Sequence, residues 1–437
     1  MAMKENLPDY PNRRSFLKTA GAAVIGSTLA LNLPFPQQAS GAGRNTLKIG
    51  LIGCGGRGTG AAVQALAADP DVVLTAMGDA FSDRLEESYK SLVEVAPKKV
   101  KVTKASKFVG FDAYKKVIDS GVDVVLLATP PGFRPEHLMA AVNAGKHVFC
   151  EKPVAVDAPG VRKVLEAAKK AKEKNLSLVS GFTFRFDNAK REIFSRVLNG
   201  EIGEVRSVST TRNGGEVWYH PRQSHWTEME YQLRNWYYYN WLSGDFIVEM
   251  IVHSLDMMAW GMGDKPPVQA TGTGGRQVRV DPKYGNIYDH FAVEYEYANG
   301  VSGFNFCRQQ PGCSNRNSVE ITGTQGNALI NVGGGLHEIT GKNKWRFQGE
   351  KNNPYQTQHD ELFASIRKGQ PMNEGERMAH STMVAILGRM VAYSGQTITW
   401  DDALHSTQVL GPRDDQFAWD FKFNSPPIAV PGLTRVL

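Results

Sequence analysis

Gly53-Cys54-Gly55-Gly56-Arg57-Gly58 directly follows the apolar run Leu47–Ile52 and opens a helical stretch. In a turn with this spacing the first glycine makes the tight bend and the second lets the backbone approach a pyrophosphate. The third lets the helix pack on the strand. The helix start adds unpaired N–H groups and the positive end of its dipole. Asp79 closes the next β-rich run, 21 residues after Gly58. A carboxylate there would take both ribose hydroxyls and repel a 2′-phosphate, so the cofactor expected is NAD rather than NADP. The alternative for Asp79 is a helix N-cap, and Arg84, one turn further on, reads as a solvated helix residue. Further along, Lys152 ends a strand, where an ammonium can polarise a developing alkoxide or carbonyl. Glu249 and His253 stand four residues apart and would share one face of a helix spanning Ile247–Trp260. Imidazole titrates near neutral pH, which suits proton transfer, although a core histidine on an amphipathic helix is the plainer alternative.

These residues need a scaffold, and the pattern around them supplies one. From Asn45, β-rich runs alternate with helical stretches, the mark of βαβ units and a parallel sheet. Strands are expected at Leu47–Ile52, Val72–Met77, Val122–Ala128, His147–Cys150 and Leu176–Ser180. Helices are expected at Arg57–Ala68, Ser82–Val95, Pro135–Ala144 and Val161–Lys172. Val122–Ala128 is apolar throughout, as befits a strand covered on both faces. After Phe182 strand-like runs recur at hairpin spacings: Val205–Thr211, Phe291–Tyr297, Gly303–Cys307, Ser318–Thr322 and Ala328–Asn331. Residues 356–367 and 376–394 return to helical periodicity. The expected fold is α/β: an N-terminal Rossmann domain over residues 46–181 and a C-terminal α+β domain over 182–437 with a large, mostly antiparallel sheet. The late helices could pack back on the first domain.

Several motifs fit no generic dinucleotide-binding template. Thr129-Pro130-Pro131, His137, Ala144-Gly145-Lys146-His147-Val148 and Glu151-Lys152-Pro153 resemble the Gfo/Idh/MocA oxidoreductases, the family of glucose–fructose oxidoreductase and inositol dehydrogenase. Gly181-Phe182-Thr183-Phe184-Arg185-Phe186, Ile202-Gly203 and Gly323-Thr324-Gln325-Gly326 extend that resemblance over roughly residues 46 to 400. It implies that Lys152 sits beside the nicotinamide and hydrogen-bonds the reacting hydroxyl, with Pro153 setting its direction. Glu249…His253…Asp256 resembles the family's Asp…His…Asp element, with Glu in place of the first Asp. His253 would then take the hydroxyl proton as hydride leaves, and Glu249 would orient the ring or contact substrate. The resemblance also places Gly53, Gly55, Gly56, Arg57, Gly58, Asp79, Thr129, Pro130, His137, Glu151 and Lys152 along the cofactor. Glu249, His253 and Asp256 could be read as metal ligands, but the family's dehydrogenases use no metal for this chemistry, so none is expected.

An aromatic stretch precedes the expected catalytic helix: Trp226, Trp236, Tyr237, Tyr238, Tyr239 and Trp241. Aromatic faces suit the C–H faces of sugar rings, while packing or a subunit interface would account for many of them. Trp236, Tyr239, Arg185, Asp256 and Arg308 are the expected substrate contacts, with Gln309 beside them. Cys307 and Cys313 could pair in an exported protein or remain free thiols.

The composition is that of a globular protein: 437 residues, 41% hydrophobic, four cysteines and a net charge of +6. No Lys/Arg run of nucleic-acid type appears, so no nucleic-acid partner is expected. Asn12-Arg13-Arg14-Ser15-Phe16-Leu17-Lys18, the weakly hydrophobic stretch to Leu33 and Ala39-Ser40-Gly41 resemble a twin-arginine (Tat) export signal over residues 1–42. The expected location is therefore periplasmic or otherwise exported, with the Tat machinery as a partner and no stable membrane insertion after cleavage. Tat export carries folded proteins, which hints at a cofactor bound tightly enough to travel. The expected activity is hydride transfer between NAD and a secondary hydroxyl of a sugar, polyol or glycoside, in a homo-oligomer assembled through the C-terminal sheet. Two other readings are an NAD-recycling glycoside hydrolase, working by oxidation, elimination, addition and reduction, and a non-catalytic sugar sensor. A sensor needs neither acid nor base.

Overall fold

The computed structural model describes residues 45–333 and 335–437, so the export-signal reading of residues 1–42 lies outside the described residues. The first layer runs β1 (Leu47–Ile52), α1 (Gly56–Ala68), β2 (Val72–Asp79), α2 (Ser82–Val95), β3 (Lys107–Val109), α3 (Ala113–Asp119), β4 (Val124–Leu127), α4 (Arg134–Asn143), β5 (His147–Cys150), α5 (Ala158–Glu173) and β6 (Leu178–Ser180). Its six strands pair in parallel in the order β3-β2-β1-β4-β5-β6. Every residue of β4 is buried, which explains its unbroken apolar sequence. The strand order reverses between β1 and β4. Ligands of doubly wound sheets bind in the crevice beyond the carboxyl ends of the strands at such a reversal.

The second layer begins with α6 (Asn188–Leu198), β7 (Val205–Gly214), α7 (Glu228–Arg234), α8 (Asn240–Ser243), α9 (Phe246–Glu249) and α10 (Val252–Gly261). It continues through β8 (Gln269–Gly275), β9 (His290–Glu296), β10 (Ser302–Gln309), β11 (Arg316–Gly323), β12 (Gly326–Asn331), β13 (His337–Gly341) and β14 (Trp345–Arg346). α11 (Pro354–Lys368), α12 (Gly375–Ser394), β15 (Ile398–Thr399) and α13 (Trp400–His405) close the order. The nine strands lie in the order β14-β13-β12-β11-β7-β10-β9-β8-β15. All neighbours are antiparallel except β7 and β10, which run parallel at the centre. Inward residues alternate with outward ones: on β10, Gly303, Asn305, Cys307 and Gln309 are buried, whereas Phe306 is 47% exposed.

α11 packs on α1 and α12 on α5, so late helices brace the first layer from behind. α12 is buried along nearly its whole length and stops at Gly395, whose φ of 71° suits the left-handed C-terminal position.

One expected element is corrected. The helix over Ile247–Trp260 is broken between Glu249 and Val252 into α9 and α10. The Ile251 N–H reaches back five residues to the Phe246 carbonyl, so Glu249 and His253 do not belong to one regular helical face.

Candidate active site

The glycine-rich turn leads from β1 into α1 with no side-chain cap and no acid in the first turn, so its N–H groups face the crevice unscreened. Gly53 has φ 94° and runs against the backbone of Ala128 and Thr129, where a Cβ would come within 2.6 Å. A Cβ on Gly58 would fall 1.9 Å from the Gly53 carbonyl oxygen, whereas Cβ atoms on Gly55 and Gly56 would meet nothing within 4 Å. Two glycines are therefore needed for closure, and the other two border open space that a pyrophosphate fits. Asp79 accepts from the N–H of Cys54 at 2.6 Å and of Phe81 at 2.9 Å, tying the turn to the end of β2. Burial raises its carboxyl from the ordinary value, and two backbone amides oppose that shift. Each oxygen keeps a lone pair for a ribose hydroxyl. The donor set and the open glycine faces fit a dinucleotide.

Arg57 joins this turn to the catalytic edge. Its Nε is 2.5 Å from Oε1 of Glu151, which is only 4% exposed, and its Nη2 is buried without a partner. Gly181 makes room for this carboxylate, since a Cβ there would lie 2.5 Å from Oε2. Thr129 and Pro130 line the end of β4, but His137 does not reach the crevice. It is buried behind them, stacked on Tyr114 at 4.0 Å, with Nδ1 3.3 Å from Thr129 Oγ1. Burial depresses His137 to about 3, so it backs Thr129 as a neutral ring.

The tail of the chain crosses the far side of the same edge. Phe81, Phe111 and Phe133 follow the ends of β2, β3 and β4. The Trp419 ring lies 5.2 Å from Phe81 and 4.6 Å from Phe111. Phe417 lies 5.5 Å from Phe111 and 5.0 Å from Phe133.

Lys152 follows β5, and its peptide bond to Pro153 is cis. Its Nζ donates to the main-chain oxygen of Glu249 at 2.7 Å and reaches Glu249 Oε1 at 3.2 Å. The break between α9 and α10 presents that carbonyl to the ammonium. His253, in the first turn of α10, packs against Phe182 and Phe184, and its Nδ1 is buried without a partner. Nε2 is then the nitrogen left to accept a proton. Burial, then the positive charges of Lys152, Arg212 and Arg57, hold His253 well below the ordinary histidine value. A neutral imidazole and an ammonium from different layers thus converge at one cleft.

The expected substrate contacts divide. Arg185 and Asp256 are removed from the cleft: Arg185 Nε and Nη2 each lie 2.9 Å from Asp256, Ser381 donates to the same buried carboxylate, and the exposed Asp264 caps the guanidinium from the solvent side. Removing one partner of such a pair costs about 3–5 kcal/mol, a structural role. This arrangement also separates Asp256 from Glu249 and His253 as a ligand set. Tyr239 is a second correction, because it is buried beside Tyr231 and Tyr219. Trp236 is half-buried and packs on Trp218 and Tyr237 at 6.0 Å each. Arg308 is a third, because strand alternation turns it to the opposite face from Cys307 and Gln309, where it donates to the Ser314 carbonyl at 3.0 Å.

Sequence reasoning named Tyr237 only as one of the aromatic stretch and missed Arg212. The Tyr237 hydroxyl donates to Gln309 Oε1 at 3.1 Å, and Gln309 Nε2 contacts Met250 Sδ at 3.2 Å. Burial and the Glu249 charge raise the Tyr237 phenol well above its ordinary value. Arg212 lies on β7 opposite Cys307 and shares its inward face. The alternation Val208, Thr210, Arg212 was the available signal. All four cysteines are free: Cys54, Cys150 and Cys307 are buried and Cys313 is exposed.

A switch-point crevice with a phosphate-binding turn, facing a lysine and a neutral histidine, defines a dinucleotide-dependent oxidoreductase. Residues 47–178 match the oxidoreductase family with the NAD-binding Rossmann fold (GFO/IDH/MocA), and residues 191–329 match the GFO/IDH/MocA C-terminal domain. The chain belongs to that family and is an NAD-dependent oxidoreductase. It is 30% identical to myo-inositol 2-dehydrogenase of Thermotoga maritima over 285 residues, 64% of this chain and 74% of that protein. It is 28% identical to inositol 2-dehydrogenase of Rhizobium meliloti, with the same coverage. Aldose-aldose oxidoreductase from Caulobacter crescentus shares the fold, with a TM-score of 0.64 at 20% identity over 82% of this chain and 100% of that one. Levoglucosan dehydrogenase, solved with NADH and levoglucosan, does so with a TM-score of 0.62 at 18% identity over 81% and 99%.

Proposed function

We propose that this protein is an exported enzyme that oxidises or reduces one secondary carbinol of a sugar, polyol or glycoside and retains its NAD(H) between turnovers. The observation that carries the reading is the convergence of Lys152 and His253, about a hundred residues apart, on one cleft beside the phosphate-binding turn. NAD bound there supplies the hydride acceptor. Lys152 holds the substrate oxygen and stabilises its developing negative charge. His253 Nε2 accepts the hydroxyl proton, and burial keeps it free of a proton at neutral pH. Glu249 holds the lysine through its main-chain oxygen and its carboxylate together. The relatives named for inositol act on polyols, which supports a polyhydroxylated substrate.

Retention is supported by Phe417 and Trp419, which lie across the rings at the ends of β2, β3 and β4 beside Asp79. A nucleotide leaving that edge must move past the tail. Export rests on Arg13-Arg14 and the stretch after them. A cofactor inserted before export and kept afterwards answers the scarcity of free NAD outside the cytoplasm. The test is to purify the protein without added nucleotide, release the small molecules by denaturation, and measure NAD(H). Near-stoichiometric nucleotide, with absorbance at 340 nm rising on addition of a sugar or polyol, is expected. An empty site overturns retention, and no absorbance change across such a panel overturns the reaction.

A further inference from the structure

Two cations of the cleft are matched by carboxylates. Arg57 is matched by Glu151 and Lys152 by Glu249. His253 is neutral. The side chain of Arg212 makes no ion pair and no hydrogen bond among the described residues, although it is half-buried. It stands on the central strand β7, in register with Cys307 of β10 and Asn317 of β11. On the same inward face, one register step on, Gln309 touches Tyr237 and Met250. Its guanidinium lies within electrostatic reach of Tyr237, Glu249 and Tyr355, and its charge acts on His253. Across the strand pair, Asn317 has a buried side-chain Oδ1 without a partner. An amide can present either acceptor or donor to a ligand. A half-buried cation without a counter-charge is unfavourable, and a group arriving with the substrate can supply the missing charge.

We propose that Arg212 selects the substrate and that the substrate is a sugar acid, whose carboxylate pairs with this guanidinium while Lys152 and His253 hold the reacting carbinol. This deepens the sugar-oxidoreductase reading and rests on it. One unmatched positive charge balances a carboxylate, whereas a phosphate dianion would call for a second cation beside it. The planar guanidinium takes two carboxylate oxygens at once, which fixes the ring's orientation as well as its charge. Asn317 can then bond the remaining lone pair or a neighbouring hydroxyl.

The test uses the NAD-loaded enzyme and two matched probes. Methyl β-D-glucopyranosiduronate and methyl β-D-glucopyranoside differ only in a carboxylate for a hydroxymethyl group, and the corresponding galactosides form a second pair. Binding is measured calorimetrically and turnover by NADH absorbance. The expected result is an acid-to-neutral preference on the order of a hundredfold in Kd, as for a desolvated charge pair. Arg212→Gln should bring that ratio near one, and Arg212→Lys should leave an intermediate ratio through its charge without the fork. Thermal melting and retained NAD report whether each variant folds. Preference for the neutral glycosides overturns the proposal and leaves the oxidoreductase reading intact. If Arg212 only tunes His253, Arg212→Gln changes kcat for both members of a pair alike and leaves their Kd ratio unmoved, which also overturns it. No binding and no NAD reduction by any probe overturns both readings.

Discussion

The two walls of the cleft are built in different ways. The cofactor wall is backbone: a glycine turn, a helix start, and a carboxylate fastened by the amides of Cys54 and Phe81. Its Arg57 and Glu151 side chains pair with each other. The substrate wall is made of side chains from β7, β10 and a broken helix, and it leaves the Arg212 side chain without an ion-pair partner among the described residues. Backbone donors recognise what all dinucleotides share. Side chains on a sheet face can be exchanged without disturbing the strand ladder, and the proposed selection of substrate by Arg212 rests on that wall.

The comparison can be broken at the point where the walls meet. His253→Ala should lower turnover by about a hundred- to ten-thousand-fold, and Lys152→Ala should do comparable damage. NAD content should be kept in both, because neither side chain belongs to the Gly53–Gly58 turn to which we assign the pyrophosphate. Stopped-flow reduction of bound NAD measures this, and near-normal rates in both variants would place the chemistry elsewhere. On the cofactor wall, Asp79→Ser should weaken NAD binding by roughly ten- to a hundredfold, from loss of charge-assisted hydrogen bonds. It should also narrow the preference over NADP. Fluorescence titration with each reduced cofactor reads both, and equal affinities in the unaltered protein would contradict the role given to Asp79.

A smaller effect is expected at the tail. Trp419→Ala removes ring contacts worth about 0.5–1.5 kcal/mol each, so the NAD(H) dissociation rate should rise by about tenfold. An unchanged rate would mean that Phe417 and Trp419 brace the layer without restraining the nucleotide. The smallest effect is on pH. Because His253 is held below the ordinary histidine value, it stays unprotonated down to more acidic solution than a free imidazole. In the oxidation direction, kcat/KM should remain flat through pH 6.5 and fall only below it. An acid limb at or above pH 6.5 would show that the ring is not shielded as the structure has it.

Much of this protein was legible without coordinates. The glycine turn, Asp79 and the Glu151-Lys152-Pro153 run are contiguous segments at the ends of parallel strands, where local chain geometry already decides what the backbone can do. The alternation of apolar runs with helices identified the first sheet, because strands buried on both faces must be apolar throughout. Spacing alone misled at Glu249 and His253, where the chain departs from helical geometry and a main-chain oxygen becomes a partner of Lys152. It misled again at Arg185, Asp256, Tyr239 and Arg308, whose residue types suit a sugar but whose side chains are held in buried networks or on the other face of the sheet. Only the tertiary structure could separate them from Tyr237 and Arg212. Which face of a strand meets the cleft depends on the pairing of β7 between β10 and β11, contacts made by segments about a hundred residues apart. Charge balance is likewise a property of neighbours in space, and no linear pattern records that the Arg212 side chain has no ion-pair partner among the described residues.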